Sequence, residues 1–476
     1  MKSPKHFLVQ HGEQPQLGEV DHDYTIVVTD YQTEREDTSS EKNIRYRKQD
    51  IEPIFPDETP APIRTFLNLG LAIYAADRLV KRGPTGAEQD DERMLQSREI
   101  DLTVPVSDIE RWRGVEEEIS HTISFISRDT FSVRFVEANH HHPSSSVSNS
   151  ADISPSETDS VALFSGGLDS LGGYYHLTEN GYNPEFVCLD HGKNVGHIVA
   201  PLQEYLELNL TKVGIEEGFR CPESTQFTRS FMYLTFATAV AVGLDVEEIF
   251  VPENGILARF PMLSSGWTTT RTVHPTFLRG FNRILSEVFP QTDLKVTNPF
   301  VGMTKTEVVN QIPNEDTIHQ TRTCPHPRGL SREKTERGHP MNCGVCIPCL
   351  IRQIGLVTSH HQIKPDELAF ESNPLSEFDF STLDTDGLSE VSASERQTGL
   401  PVFLIGLNSI LSFAQRVKTQ TQTQIASDYP EALDDSVYNL YSQFSQETIS
   451  AVSVYTKFNE SLEEYIRTFS PELLDS

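Results

Sequence analysis

The chain has 476 residues, 37% of them hydrophobic, and a formal net charge of -30 from 39 basic and 69 acidic side chains. This length is enough for about three domains, and the excess of carboxylates argues against broad nucleic-acid binding, which depends on Lys and Arg neutralising phosphates. Only 13 of the basic residues are Lys, a balance typical of halophilic proteins, whose surface charge keeps them soluble at high salt.

No apolar run reaches the roughly 18 residues needed to span a membrane, and the first residues lack the apolar stretch of a signal peptide. We therefore expect a cytoplasmic protein with no membrane partner. In such a compartment the six cysteines indicate a metal site or catalysis before disulfides.

Residues 1–155 are expected to form an accessory domain of the α+β class. Residues 23–29, 99–106 and 130–136 resemble strands in composition or alternation, and residues 64–81 have helical periodicity, with Gly83-Pro84 as the stop. No motif in this region carries chemistry, so we expect it to pack on a catalytic domain or to bind a partner.

Residues 138–160 are rich in Ser, Pro and Asp, which predicts a solvated linker before the next domain. Three consecutive histidines at positions 140–142 could bind a metal. The linker interpretation is favoured because no Cys or carboxylate stands at ligand spacing.

The strongest signal lies at residues 161–170, Val-Ala-Leu-Phe-Ser-Gly-Gly-Leu-Asp-Ser. The apolar run 161–164 predicts a buried strand, Gly166 and Gly167 allow a tight turn close to a ligand, and a helix is predicted from Leu171 onward. Such a turn forms a phosphate site, because free N–H groups and the positive end of the helix dipole point at the ligand. It is not a Walker A loop, since no Lys follows the glycines, nor a dinucleotide-binding fingerprint.

Polar residues follow the later predicted strands of the central region. Strand 185–190 ends in Asp190, and strand 247–251 is followed by Glu253, which could hold magnesium, position an amine or only form a turn. Ligands of open α/β sheets lie outside the carboxyl ends of the strands, so these groups should face one crevice.

Two basic residues stand at predicted helix starts. Arg229 opens an apolar helix over residues 231–242 and could either contact a phosphate or only cap the helix. Lys305 begins a later helix after Thr304. Because the helix dipole disfavours a cation there, phosphate contact is favoured over a surface position for Lys305.

Four cysteines share a metal-ligand spacing: Cys324, Cys343, Cys346 and Cys349. Four thiolates fit a tetrahedral zinc with every position filled, which predicts a structural site that staples the loop between residues 324 and 343. An iron–sulfur cluster and unligated cysteines are the alternatives. Cys188 and Cys221 are predicted to be structural.

The stapled loop also carries a basic cluster, which could bind an anionic substrate or ATP, or could only offset acidic surface nearby. Its members are Arg328, Arg332, Lys334 and Arg337, with His326 and His339.

The remaining residues, 363–476, are predicted to be an acidic linker followed by a helical C-terminal region. Residues 365–398 are acidic and rich in Ser, whereas residues 400–415 and 436–469 have helical apolar spacing.

The Ser-Gly-Gly-x-Asp-Ser sequence at residues 165–170 resembles the signature of the PP-loop ATP pyrophosphatases. The resemblance implies a PP-loop, HUP-like parallel α/β sheet with flanking helices over residues 156–362, and a reaction in which AMP is transferred and pyrophosphate is released. Asp169, Lys305 and Arg229 would be catalytic, with Asp169 orienting Mg²⁺ and the two cations stabilising charge on the α-phosphate. The ATP-binding residues implied are Phe164, Ser165, Gly166, Gly167, Leu168, Asp169, Ser170 and Asp190.

A late Cys followed by Cys-x2-Cys-x2-Cys looks like the QueC branch of this group, the 7-cyano-7-deazaguanine synthases, with weaker support from residues 190–192, Arg229 and residues 304–307. The resemblance implies adenylation of 7-carboxy-7-deazaguanine, displacement of AMP by ammonia to give the amide, and a second activation to give the nitrile. The added terminal regions resemble those of QueC-like proteins in anti-phage operons, notably QatC of the Qat system, in which an amine on a partner protein could replace ammonia.

Three other functions remain open at this point. The first is an ordinary synthase of queuosine or archaeosine biosynthesis. The second is a tRNA-thiolating PP-loop enzyme, against which the charge of -30 and the commitment of four cysteines to a metal both argue. The third is a non-catalytic scaffold that keeps the ATP-binding fold.

Overall fold

The computed structural model describes residues 4–11, 21–30, 41–55, 59–82, 97–138, 158–191, 195–223, 225–259, 271–322, 324, 341–368, 370–383 and 400–474. The strands in these residues are β1 Lys5–His11, β2 Tyr24–Asp30, β3 Glu41–Tyr46, β4 Glu99–Val106, β5 Thr130–Glu137, β6 Ser160–Leu163, β7 Pro184–His191, β8 Leu210–Glu217, β9 Glu248–Phe250 and β10 Lys295–Thr297.

Helices flank these strands and make up the described C-terminal part of the chain. They are α1 Ala61–Leu79, α2 Ile109–Arg113, α3 Glu116–Ser127, α4 Leu168–Glu179, α5 Val195–Leu206, α6 Arg229–Leu244, α7 Gly255–Arg259, α8 Pro275–Val288, α9 Lys305–Val309, α10 Glu315–His319, α11 Ile347–Thr358, α12 Pro374–Glu377, α13 Leu400–Thr419, α14 Gln422–Ala426, α15 Asp435–Tyr455 and α16 Glu460–Phe469. No helix in the described residues is long and apolar enough to cross a membrane.

The ten strands form one sheet in the order β10-β9-β6-β7-β8-β3-β2-β1-β4-β5. Every neighbouring pair is parallel except β3 and β8, which pair antiparallel. The chain proceeds from β6 to β7 and β8 on one side and then crosses to β9 and β10 on the other. This reversal makes the carboxyl end of β6 a topological switch point, where ligands of such sheets bind.

The N-terminal strands differ from the expected α+β arrangement. β1 to β5 are all parallel to one another, which is an α/β arrangement, and β3 joins them to β8 so that both halves share the sheet. The expectation was wrong because β1 and β3 were not recognised as strands, so the parallel pattern was hidden. The predicted boundary near residue 155 remains a prediction.

Helix α1 explains why the two halves pack so closely. Most of its residues from Ile63 to Arg78 are buried, and it packs against both the N-terminal strands and α6. α6 is apolar on every side because it lies between α1 and the sheet, where Phe231 and Phe236 are fully inaccessible to solvent. α1 begins three residues before the predicted start, and its predicted stop at residues 83–84 lies outside the described residues.

The described C-terminal part is helical, as predicted, and residues 436–469 contain two helices, α15 and α16. Its core includes Phe403, Phe444 and Ile466, and it packs on Leu350 and Ile351 of α11. This packing joins the C-terminal helices to the cysteine-bearing segment. Residues 384–399 of the predicted acidic linker, residues 139–157 with the three histidines, and the basic cluster at residues 326–339 lie outside the described residues.

Candidate active site

The turn between β6 and α4 has the geometry of an anion-binding loop. Gly166 has a φ of +75°, which an L side chain rarely adopts, and a Cβ there would lie 2.8 Å from a methyl carbon of Ile198. The Ser170 hydroxyl donates a hydrogen bond of 2.9 Å to the Gly167 carbonyl, which closes the turn. α4 begins at Leu168, earlier than the predicted Leu171, so the free N–H groups of its first turn belong to the loop itself.

A cleft of about 760 Å³ opens at this loop, outside the carboxyl ends of β6, β7, β8 and β9. The N-terminal half of the chain contributes to its walls through Tyr74 and Arg78 of α1. Of the residues singled out from the sequence, those lining it are Phe164, Ser165, Gly167, Leu168, Asp169, Ser170, Cys188, His191, Arg229, Glu253 and Cys324.

Asp169 and Lys305 form a buried ion pair beneath the loop. The Lys305 ammonium lies 2.5 Å from an Asp169 carboxylate oxygen, and the Asn254 amide nitrogen lies 3.4 Å from both oxygens. The Lys305 side chain is only 1% exposed, whereas Asp169 is 15% exposed. Lys305 begins α9, whose N-terminus is capped by Thr304 in a capping box with Glu307. Lys305 therefore pairs with an anion, Asp169, among the described residues. Its predicted contact with a phosphate stays a prediction.

Glu253 places a second carboxylate in the same part of the cleft. Burial, together with the charge of Asp169, raises the pKa of Glu253 to about 7, although a hydrogen bond of 2.9 Å from the Thr272 hydroxyl opposes the shift. The carboxylates of Asp169 and Glu253 are oxygen ligands of the kind that Mg²⁺ prefers. Asn254 does not add a third, because its NH2 group faces Asp169 and its side-chain oxygen accepts from the Leu257 N–H at 3.1 Å. The two carboxylates could hold a divalent cation, and Mg²⁺ stays a prediction.

Arg229 lies on the cleft wall at the first residue of α6, with its guanidinium 3.2 Å from the Gln226 side-chain oxygen. Burial raises the pKa of Glu253, and the positive charge of Arg229 partly opposes that rise. Burial lowers the pKa of His191, and the same charge lowers it further. The preceding residue, Thr228, donates both its N–H and its hydroxyl to Asp77 of α1, at 3.1 Å each. The N-terminal half thus holds the helix end that carries Arg229.

Asp190 is one of three predicted catalytic or ATP-binding residues outside the cleft lining, with Gly166 and Lys305 as the others. Its carboxylate pairs with Lys212 at 2.9 Å, and it is not among the described residues that line the cleft. The adjacent His191 does line it. A role for Asp190 in binding ATP remains a prediction.

The structure also adds a cation that the sequence did not indicate. Arg322 lines the cleft, and its backbone N–H donates to the Gly166 carbonyl at 3.0 Å. It stands two residues before Cys324, so the cysteine segment is attached directly to the loop. Its position two residues before Cys324 was the one sequence feature that could have indicated Arg322 as a site residue.

The four predicted cysteines come together. Their Sγ atoms all lie within 4.8 Å of one another, with 4.0 Å between Cys324 and Cys346 and 3.6 Å between Cys343 and Cys349. A tetrahedral zinc with bonds of about 2.3 Å requires sulfurs about 3.8 Å apart, whereas a disulfide requires about 2 Å. The cluster could therefore hold a zinc ion, which would crosslink its segment. Iron–sulfur clusters distribute their thiolates over several irons and spread them farther apart, so a single ion fits better.

A comparison with known protein families finds a match within this chain. Residues 216–360 match the family model described as QueC, queuosine biosynthesis protein QueC, and no curated protein matches the chain. The matched segment contains Arg229, Lys305 and all four clustered cysteines, but it begins after the loop at residues 164–170. The match covers 145 of the 476 residues and shows that this segment is similar to the QueC family.

Proposed function

We propose that this protein adenylates a 7-carboxy-7-deazaguanine-type acid with ATP and passes the activated acyl group to an amine. The observation that carries the proposal is Asp169, which lines the cleft of the Gly-rich loop together with Arg229 and pairs with Lys305, a buried cation behind the cleft wall. This arrangement gathers positive charge where phosphates would lie while keeping a carboxylate available to a metal.

The residues have the following proposed roles. The N–H groups of the loop and the hydroxyl of Ser165 hold the β- and γ-phosphates, and Asp169 holds Mg²⁺, with Glu253 beside it. Lys305 and Arg229 stabilise the charge that develops as a substrate carboxylate oxygen bonds to the α-phosphorus and the bond to pyrophosphate breaks. An amine nitrogen then bonds to the acyl carbon, and AMP leaves with the former carboxylate oxygen. No covalent bond to the protein is required.

The amine is proposed to be ammonia or an amine on a partner protein. The regions outside the QueC match, which include residues 1–155 and 363–476, motivate the second choice and a role in anti-phage defence. Ammonia as the acceptor would instead give an ordinary synthase of queuosine or archaeosine biosynthesis.

The other two functions fit less well. A thiolating enzyme needs a reactive thiolate, but burial raises the pKa of Cys188 to about 12, and burial with the nearby Glu217 does the same for Cys221. The remaining cysteines form the metal-ligand cluster. A scaffold does not need to retain a buried Lys–Asp pair, which costs desolvation energy.

The test is ATP-dependent release of pyrophosphate with 7-carboxy-7-deazaguanine at high salt, with and without ammonia, and mass spectrometry of the product. A nitrile product supports the ordinary synthase, and a reaction that stops at the adenylate or amide points to another acceptor. Release that responds only to tRNA supports thiolation, and no release with any of these supports a scaffold.

A further inference from the structure

A part of the cleft away from the loop is built by the N-terminal half. Tyr74 and Arg78 of α1 line it, next to Glu217 at the carboxyl end of β8. β8 is separated from β6 by β7 alone. At about 4.8 Å between neighbouring strands, its end lies about 10 Å across the sheet from the phosphate loop. A substrate whose carboxylate reaches the α-phosphate would extend its ring system in this direction.

Glu217 is held in one orientation by three neighbours. The Tyr74 hydroxyl donates to one of its oxygens at 2.6 Å, the Cys221 thiol donates to the other at 2.8 Å, and the Arg78 guanidinium lies 3.5 Å away. Burial alone would raise the pKa of Glu217, but the hydrogen bonds from Cys221 and Tyr74 and the charge of Arg78 lower it. Glu217 is therefore an ionised carboxylate at neutral pH.

Tyr74 links this carboxylate to His191. Tyr74 has one hydroxyl proton, which it gives to Glu217, so its oxygen accepts from His191 Nε2, 3.3 Å away. Burial, with the charge of Arg229, lowers the pKa of His191 and keeps the ring neutral. The direction of both hydrogen bonds is thereby fixed, so Tyr74 donates to one oxygen of Glu217 while Cys221 donates to the other.

The carboxylate retains acceptor capacity toward the cleft. A carboxylate offers about four acceptor positions, and the hydrogen bonds from Tyr74 and Cys221 use one on each oxygen. The Glu217 side chain is 27% exposed, and it lines the cleft. Two parallel acceptor positions on a fixed carboxylate match two adjacent N–H donors, as in bidentate recognition.

We propose that Glu217, positioned by Tyr74 and Arg78 of the N-terminal half, is the specificity residue that accepts the ring N–H and the exocyclic amino group of a 2-aminopyrimidinone edge on the substrate. This inference rests on the proposed function for the identity of the acid. It makes the N-terminal half part of the substrate subsite. A site built to pair these donors leaves its own carboxylate unpaired when a substrate lacks them, and such sites discriminate strongly.

The test compares 7-carboxy-7-deazaguanine with the analogue that lacks the 2-amino group. Binding of each acid to the full chain is measured by calorimetry, and pyrophosphate release is measured in parallel. We expect the wild-type chain to bind 7-carboxy-7-deazaguanine about 10- to 100-fold more tightly than the analogue without the 2-amino group. Glu217→Gln replaces one acceptor with a donor and should reduce the preference to about threefold or less, with an unchanged KM for ATP.

Two further variants separate specificity from folding. Tyr74→Phe removes only the hydroxyl that orients Glu217 and should give an intermediate preference. Glu185→Gln is the matched control, because Glu185 is a partly buried sheet carboxylate that accepts a hydrogen bond of 2.7 Å from Thr211 and does not line the cleft. It should keep the wild-type preference.

The outcomes distinguish this inference from the proposed function. Retention of the full preference by Glu217→Gln overturns the inference even if turnover is normal. Selective binding without pyrophosphate release overturns the proposed reaction and supports the inference. Failure of the wild-type chain to bind either acid overturns both.

Discussion

Removing the positive charge of Lys305 should destabilise the protein, and a second change should rescue stability without rescuing activity. In Lys305→Met, the Asp169 carboxylate keeps, among the described residues, the Asn254 amide at 3.4 Å and the charge of Arg352, and it still faces the carboxylate of Glu253. Breaking a buried pair from one side costs about 3–5 kcal/mol. Because Asp169 is 15% exposed to the cleft, we expect about 3 kcal/mol.

The double variant Lys305→Met/Asp169→Asn removes both charges and keeps similar side-chain shapes. Its free energy of unfolding should return to within about 1 kcal/mol of the wild type, because no unpaired charge remains. Its turnover should stay lower by at least about 100-fold, since a donor aimed at developing charge is still missing. Urea unfolding followed by circular dichroism, with pyrophosphate release on the same samples, measures both quantities.

Two results would refute this reasoning. An unchanged unfolding free energy in Lys305→Met would mean that the pair is not desolvated. Recovery of turnover in the double variant would mean that the pair serves only the fold and that the proposed contact with the α-phosphate is wrong.

Other predictions concern the metal cluster, the second carboxylate and the C-terminal helices. The metal-replete chain should contain about one zinc by mass spectrometry of metals, and Cys346→Ser should lose it and melt at a lower temperature; wild-type protein without zinc would contradict this. The pKa of Glu253 is about 7 in the folded chain and near 4.5 in the unfolded chain. Its contribution to the free energy of unfolding, at most about 3 kcal/mol, is therefore fully present below pH 4.5 and is lost as the pH rises through 7. Urea titrations at pH 5 and pH 8 should show this loss in the wild type and not in Glu253→Gln. Glu447→Ala should cost about 2 kcal/mol of unfolding free energy, because the buried carboxylate of Glu447 accepts the Thr304 hydroxyl at 2.7 Å, whereas Glu447→Gln should cost less than half as much.

The features that the sequence predicted and the structure shows, which are the strand, turn and helix around Gly166 and the cysteine cluster, depend mainly on neighbours close along the chain. The strand, turn and helix around Gly166 lie within about 20 residues, and three of the four clustered cysteines occupy a seven-residue segment. Local spacing fixes their geometry, because a strand followed by a tight glycine turn leaves few paths for the backbone. The structure brings together the residues that these two motifs indicated.

The rest depends on which strands become neighbours, and the sequence did not reveal it. β8 was not recognised, so Glu217 could not be placed at a carboxyl strand end. α1 was predicted as a helix, but the side of it that meets the cleft, with Tyr74 and Arg78, follows only from the pairing of β3 with β8. Arg322 and Asn254 likewise contact the loop through tertiary packing alone. Residues of this kind can be assigned to the site only after the order and pairing of the strands are known.

The antiparallel seam between β3 and β8 has a consequence for synthesis on the ribosome. Ile44 pairs with Glu217, roughly 170 residues later in the chain. At about 5–20 residues per second, the outer edge of β3 waits about 10–35 s for its partner. An unpaired strand edge invites pairing with another nascent chain, and charged side chains discourage it. The sequence of β3, Glu-Lys-Asn-Ile-Arg-Tyr, has three charged side chains in six residues, so the seam that completes the cleft is protected from aggregation until its partner strand emerges.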